Sequence, residues 1–301
     1  MPSSTLAGAA PSIEKPSKKR SLGPAALLAP ATIFVLIGLM APLALMFRNS
    51  LNHYDPRELM VSAVTFENYV KFFQESFYQE ILWRTVWVSV TSTAICLVAA
   101  FPLAYFLARH APERFRSKLL ILVVIPLLIG NAVRTAAWML ILNDRGIIAA
   151  LLEAVGIKGQ LGLMYSTSGV IIGLVSVLLP FMVITLHSVL DAIDRNLEDA
   201  AASLGASHLT ILQRIVLPLA LPGILSGTLL CFVLSMNAYA TPVLIGGPKF
   251  HMMAPTVYEQ VAKVMNWPFG SSLAFILMAV TLVLTMTASH FVQRRYRQWS
   301  E

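Results

Sequence analysis

Two adjacent carboxylates, Glu198 and Asp199, lie in a polar segment, residues 196–218, between long apolar stretches. Apolar residues of this segment recur with the period of one helix face, and the carboxylates fall in its first turn, where they complement the helix dipole. Gly205 predicts the end of this helix, since glycine takes positive φ. Connectors that lie on lipid headgroups usually carry Lys and Arg, so the pattern favours docking on a basic protein partner. The apolar face comprises Leu197, Ala200, Ala201 and Leu204.

A second apolar-periodic stretch follows Gly205, and Pro218 marks its return to the membrane. The segment therefore predicts a short helix, a glycine turn and a longer helix that leads into lipid. The second apolar face comprises Leu209, Leu212, Ile215 and Val216.

Polar residues inside apolar stretches are the candidates for lining a solute pathway. Asn237 and Tyr239 lie in a polar, helix-breaking stretch, and irregular backbone at bilayer depth requires surrounding protein or water. Interhelical hydrogen bonding is the alternative role for these two residues. Asn131, Arg134 and Trp138 form a second candidate group. A charge such as Arg134 is costly in lipid, and it either lines the pathway, snorkels to the surface or pairs with a neighbouring subunit.

The sequence contains no pattern for catalysis in this chain. No nucleophile–base pair and no metal-ligand spacing is present, and no G-x-x-x-x-G-K-[ST] segment exists to bind ATP. Cys96 and Cys231 lie in apolar stretches and predict packing roles. We therefore expect no catalytic residue, no metal and no cofactor in this chain.

The composition indicates that lipid is the main solvent. Of the 301 residues, 57% are hydrophobic and only 12% are charged, against about 25% charged in soluble domains. The formal net charge is +7. These cations separate apolar stretches, so they indicate membrane topology rather than nucleic-acid binding.

Six membrane spans are expected, in an all-α transmembrane domain at residues 22–295 with tails at 1–21 and 296–301. The first is a retained anchor, since its apolar stretch is too long for a signal peptide. The third is interpreted as a single helix that carries Arg134. A short helix is expected within the loop at 48–80, and the polar loop between spans four and five covers 191–218. The predicted spans are residues 22–47, 85–108, 118–142, 169–190, 219–245 and 271–293.

The distribution of Lys and Arg predicts the orientation. With both termini inside, the inside segments hold 13 Lys/Arg in 67 residues and the outside segments 7 in 84. This bias favours cytoplasmic termini and a cytoplasmic loop at 191–218.

This loop resembles the EAA loop of ABC importer permeases, in which E-A-A is followed by three residues, Gly, nine residues and Ile-x-Leu-Pro. Every spacing is matched, with Asp in place of the family's Glu. Because Glu198 stands beside that Asp, either carboxylate could make the main ATPase contact. The matching residues are Asp199, Ala200, Ala201, Gly205, Ile215, Leu217 and Pro218.

A wider resemblance, from about residue 25 to residue 295, is to the spermidine/putrescine permease family. It is carried by short motifs in three spans, in the loop and just before the sixth span: residues 131–142, 180–183, 222–224, 197–207 and 267–270.

The wider resemblance implies the six-helix type I importer fold, a second homologous permease, two ABC ATPase subunits and a periplasmic binding protein. It also implies transport of a polyamine. No Asp or Glu lies within a predicted span, although a cationic solute favours carboxylates or aromatic faces. Related importers carry opines, amino-acid-like compounds, phosphonates, thiamine or iron, which remain alternatives. An autonomous channel or secondary transporter is the rival from another class, and it would usually contain intramembrane charge relays.

Overall fold

The computed structural model describes residues 23–154 and 162–300, and within these ranges the regular secondary structure is helical. The tail at 1–21 and part of the loop after the third predicted span lie outside the described residues. Helical elements follow in the order α1 Gly23–Ser50, α2 Glu67–Gln74, α3 Ser76–Arg109, α4 Glu113–Leu128, α5 Asn131–Leu142, α6 Ile147–Ala154, α7 Thr167–Ala192, α8 Arg195–Ser203, α9 His208–Ile211, a π-helical turn Leu212–Val216, α10 Leu217–Met236, a π-helical turn Pro242–Gly246, α11 Met253–Tyr258, a π-helical turn Glu259–Lys263 and α12 Trp267–Ser300.

The chain divides into two units, residues 1–46 and residues 47–301. In the first unit, α1 is long and strongly apolar, and large side chains such as Phe34 are exposed. This exposure is typical of a helix whose neighbours are lipid or another subunit.

In the second unit, α3, α7 and α10 pack on one another and bury the main apolar core. Gly223 and Gly227 of α10 face α7, where an added Cβ at Gly227 would lie 2.9 Å from the sulfur of Met182. Small residues at this spacing let two helix backbones approach closely. A smaller core joins α3, α11 and α12, with the Tyr78 and Phe269 rings 4.9 Å apart.

The third predicted span is divided, so the interpretation as a single helix is wrong. Helix α4 ends at Leu128, Ile129 and Gly130 are not helical, and the segment Asn131–Leu151, which begins with α5, continues at an angle of 97° to α4. Pro126, near the end of α4, removes one backbone donor and favours a break there. Among the described residues, five helices are long and apolar enough to cross a membrane, or six if the bent pair forms one span.

The fifth predicted span is also interrupted. Its helix is continuous over His208–Met236 and ends before Asn237, whose side-chain amide donates to the carbonyl of Val233 at 2.9 Å. The π-helical turn Pro242–Gly246 follows, so the predicted helix-breaking character of this stretch is confirmed. The short helix expected in the loop at 48–80 is α2.

Candidate coupling helix and transport cavity

The polar loop forms the predicted helix–turn–helix. Asp194 begins α8, because its side chain accepts a hydrogen bond from the Asn196 backbone N–H at 3.0 Å. Gly205 ends the helix at φ +84°, a conformation that favours glycine. Ser207 then begins α9 by accepting from the Thr210 backbone N–H. The observed first helix starts two residues earlier than the apolar pattern indicates.

The Glu198 carboxylate points back into the protein. Its Oε1 lies 2.7 Å from the Arg109 Nε at the end of α3, and the Tyr105 hydroxyl donates to its Oε2 at 3.3 Å. The Arg109 and Glu198 side chains are only 6% and 15% exposed. Glu198 therefore already has internal partners.

Two arginines extend this connection between α8 and α3. Arg109 also donates to the carbonyl of Ile193 at 3.0 Å, and Arg195 of α8 donates to the carbonyl of Ala108 at 2.7 Å. Nearby, Arg116 of α4 forms an ion pair with Asp191 of α7. Helix α8 is thus fastened to α3 by the Arg109–Glu198 ion pair and by the hydrogen bond from Arg195, which is charge-assisted and therefore stronger than a neutral one.

The opposite face of α8 is open in this chain. Asp199, the immediate neighbour of Glu198, is exposed, as are Leu197 and Ala200, whereas Ala201 packs against the core. Leu204 is 89% exposed at the end of the helix. An exposed leucine beside a carboxylate and small alanines gives a surface on which another protein can pack.

The second half of the loop is continuous with the membrane helix. Ile215 packs against the core and Val216 is buried. Leu217 begins α10 and Pro218 is its second residue, directly after the π-helical turn. Proline has no backbone N–H to donate, so the start of a helix is where it is tolerated. Helices α9 and α10 therefore belong to one continuous helix, His208–Met236.

A cavity of about 590 Å³ lies where the two interrupted spans meet, and it brings together four of the five predicted pathway residues: Asn131, Arg134, Asn237 and Tyr239. The Thr135 and Thr241 hydroxyls lie 3.3 Å apart and join the two breaks. Trp138 is not among the lining residues, and its ring packs against the main core.

Arg134 is the one charged residue among the described residues that line this cavity. Its Nη2 donates to the carbonyl of Ile129 at 3.4 Å, and its Nε and Nη1 are buried without a hydrogen-bond partner in the described part of the chain. Buried donors are normally satisfied, so water, a solute or another subunit has to complete this site.

Tyr239 also lines a second, smaller pocket of about 230 Å³, which the sequence interpretation missed. This pocket contains Tyr258, Glu259 and Lys263, and the Lys263 ammonium lies 3.0 Å from the Glu259 carboxylate. The i, i+4 spacing of Glu259 and Lys263 directly after a tyrosine was the available signal.

These features are typical of a transport permease: helices apolar enough to span a membrane, two interrupted spans around a cavity with a few polar lining residues, and the exposed helix α8 joined through a turn to one span. The chain belongs to the family described as "Binding-protein-dependent transport system inner membrane component", whose sequence model matches residues 100–298.

Curated relatives agree with this family. The chain is 32% identical to the spermidine/putrescine transport system permease protein PotB of Haemophilus influenzae, over 87% of this chain and 91% of that protein. It is likewise 32% identical to PotB of Escherichia coli K12, over 80% and 88%. Identity to the inner membrane ABC transporter permease protein YdcU of Escherichia coli K12 is 28%, over 89% and 88%.

Solved structures show the same fold. A chain of a bacterial alginate ABC transporter, in complex with an alginate-bound periplasmic protein, superposes with a TM-score of 0.76 at 18% identity, covering 92% of this chain and 96% of that chain. The MetNI methionine ABC transporter gives a TM-score of 0.55 at 17% identity, with 70% and 93% covered. The protein is thus an all-helical, multi-pass permease of the inner membrane that works with ATPase and solute-binding partners.

Proposed function

We propose that this chain is a permease subunit of an ATP-driven importer that moves a polyamine such as spermidine or putrescine. Support comes from two relatives that are named for this transport and match over most of the chain. The single structural observation that carries the coupling role is the exposed face of α8, which is fastened to α3 and connected through the Gly205 turn to the continuous helix His208–Met236.

In the assembled importer, a second homologous permease completes the pathway and two ABC ATPase subunits bind on the cytoplasmic side. A periplasmic binding protein delivers the solute from the other side. Both termini of this chain lie in the cytoplasm, as the excess of Lys and Arg in its inside segments favours. ATP and magnesium bind to the ATPase, and this chain has no catalytic, metal-binding or nucleic-acid-binding role.

Asp199 is the carboxylate that contacts the ATPase, and Glu198 positions the helix. Glu198 is held by Arg109 and Tyr105, so docking through it would leave Arg109 buried without its counterion. Breaking a buried pair in this way costs about 3–5 kcal/mol. Asp199 is exposed next to Ala200 and can meet a basic residue at no such cost.

The transport step is mechanical. Closure of the ATPase dimer moves α8, and the connection from Gly205 to Pro218 passes this movement to α10. At the far end of α10, Asn237 and Tyr239 line the cavity, so a tilt of α10 changes access to it. A rigid element with two discrete positions provides this type of coupling.

One observation favours a second candidate solute class. Arg134 is the charged residue of the larger cavity, and carboxylates are absent from its described lining. A solute with a carboxylate, such as an opine or an amino-acid-like compound, would pair with the free donors of Arg134.

Affinity purification of the tagged permease tests the coupling role. Asp199→Lys should lose the ATPase, whereas the matched charge reversal Glu113→Lys, at an exposed position in the first turn of α4, should retain it. Retention of the ATPase by Asp199→Lys at wild-type level would contradict the proposed docking. A thermal-shift screen of amines, opines and amino acids on the cognate binding protein tests the solute.

A further inference from the structure

The smaller pocket lies beyond the end of α10 that is remote from α8. Helix α10 has 20 residues. At about 1.5 Å per residue its two ends, the one that follows α8 and α9 and the one next to the smaller pocket, are roughly 30 Å apart. In the proposed orientation the pocket therefore faces the side from which the solute arrives. It shares Tyr239 with the larger cavity, so the two spaces are adjacent.

The pocket combines a carboxylate with aromatic rings. The Glu259 side chain is 41% exposed, so a solute can reach it. The rings of Tyr239 and Tyr258 line the same pocket, with centroids 4.9 Å apart and planes inclined at 60°. A carboxylate beside aromatic faces is the chemistry that recognises an organic cation, because both attract an ammonium group.

The ammonium group of Lys263 already occupies the position beside the Glu259 carboxylate. The Lys263 Nζ lies 3.0 Å from the Glu259 Oε1. The hydrogen bond and charge of Glu259 raise the pKa of Lys263, and the two tyrosines add in the same direction. The surroundings therefore favour the charged form of an amine. The pocket's Phe250 ring also attracts a cation, since the Arg84 guanidinium lies 5.6 Å from its centroid.

We infer that Glu259, with the rings of Tyr239 and Tyr258, forms a binding site for one primary ammonium group of the solute, and that the Lys263 ammonium holds this site until the solute displaces it. This inference rests on the proposed polyamine function and adds the point of recognition to it. The pocket of about 230 Å³ is smaller than typical ligand sites of roughly 300–1,000 Å³. It accommodates one aminoalkyl end while the rest of the solute extends toward Tyr239 and the larger cavity.

The exchange keeps the Glu259 carboxylate paired with an ammonium group throughout. With Lys263 bound, the Glu259 carboxylate is neutralised, so the empty pathway does not present an unpaired anion. An arriving ammonium takes the same carboxylate and releases Lys263, which is 65% exposed, to water. A monovalent inorganic cation lacks the alkyl chain that the rings contact, so the site favours organic amines.

Uptake by the complete importer tests the site. Labelled putrescine uptake is measured in proteoliposomes that contain the permease pair and the ATPase, with saturating binding protein. Glu259→Gln should lower the uptake rate about 5- to 10-fold, since a charge-assisted contact is lost, and Glu259→Asp should restore much of it. Lys263→Met should keep or raise uptake because the internal competitor is gone.

The matched control is Glu75→Gln. Glu75 also forms an i, i+4 pair with a lysine, Lys71, at 3.9 Å, but it does not line the pocket. Equal uptake by Glu259→Gln and Glu75→Gln would overturn the site while leaving the importer function intact. A wild-type importer that hydrolyses ATP but moves no amine would instead overturn the polyamine function and this site with it.

A second pair of variants decides the outcome if Glu259→Gln fails to assemble. Tyr258→Phe keeps the aromatic ring and should transport normally, whereas Tyr258→Leu should lower uptake about 3- to 5-fold, in the range of an exposed cation–π contact. Equal rates for these two variants would overturn the site.

Discussion

The Arg109 guanidinium and the Glu198 carboxylate form an ion pair, with Nε 2.7 Å from Oε1, that joins the last residue of α3 to the first turn of α8. Both side chains are largely buried, and Tyr105 donates to the same carboxylate. The neighbouring Asp199 is exposed. Two adjacent carboxylates therefore lie in different environments, one bound within the chain and one exposed.

Removal of one charge of this ion pair should destabilise the complex more than removal of both. Arg109→Met leaves the Glu198 carboxylate without its counterion, which should cost up to about 3–5 kcal/mol and lower the melting temperature of the purified complex. The double variant Arg109→Met/Glu198→Leu removes both charges and should recover most of that loss. A double variant less stable than Arg109→Met would contradict the pairing.

A substitution of Gly205 should uncouple uptake from the ATPase without preventing insertion of the permease into the membrane. An added Cβ would meet no atom within 4 Å, so a substitution disturbs the backbone at φ +84° and the exposed surface rather than internal packing. Gly205→Asp should leave the permease in the membrane but abolish ATP-driven uptake. Gly205→Asn, which tolerates this conformation better and adds no charge, should retain part of the activity. Normal uptake by Gly205→Asp would contradict the coupling role of α8.

The sequence was sufficient to predict where α8 ends, because a single glycine in an apolar-periodic segment determines that position. It was not sufficient to predict which carboxylate faces inward. Successive residues on a helix differ by about 100° in direction, and the choice depends on Arg109, which is remote in sequence.

Two further features of the site were not predicted, for different reasons. The break after α4 occurs at Ile129 and Gly130, and Pro126 is its local signal, but the stretch is apolar throughout and hydropathy alone favours one continuous helix. Glu259 lies in a connection between helices, so a search for carboxylates within spans could not find it. Only the fold brings it into the same pocket as Tyr239, at the end of α10.

Substitution by alanine should destabilise the complex to different extents at the two glycines of α10. At Gly223 an added Cβ would lie 2.6 Å from the Cβ of Val189, and β-branched side chains cannot rotate away easily. At Gly227 it would meet the flexible end of Met182. Gly223→Ala should therefore destabilise the complex by about 1–3 kcal/mol, and Gly227→Ala by less. Equal melting temperatures for the two variants would contradict the observed packing of α7 on α10.

The effect of Arg134 substitutions on uptake distinguishes a polyamine from a solute that carries a carboxylate. Its unpaired Nε and Nη1 make the larger cavity electropositive, and in such a space a guanidinium repels a polycation but attracts a carboxylate. If the solute is a polyamine, Arg134→Gln should leave spermidine uptake unchanged or raise it. Arg134→Lys keeps the charge and should behave as the wild type. The measurement is the initial rate of uptake at saturating binding protein, with insertion checked by the amount of assembled complex. A severalfold fall in spermidine uptake for Arg134→Gln, with normal assembly, would contradict this prediction and assign the free donors of Arg134 to an anionic group of the solute or of the second permease.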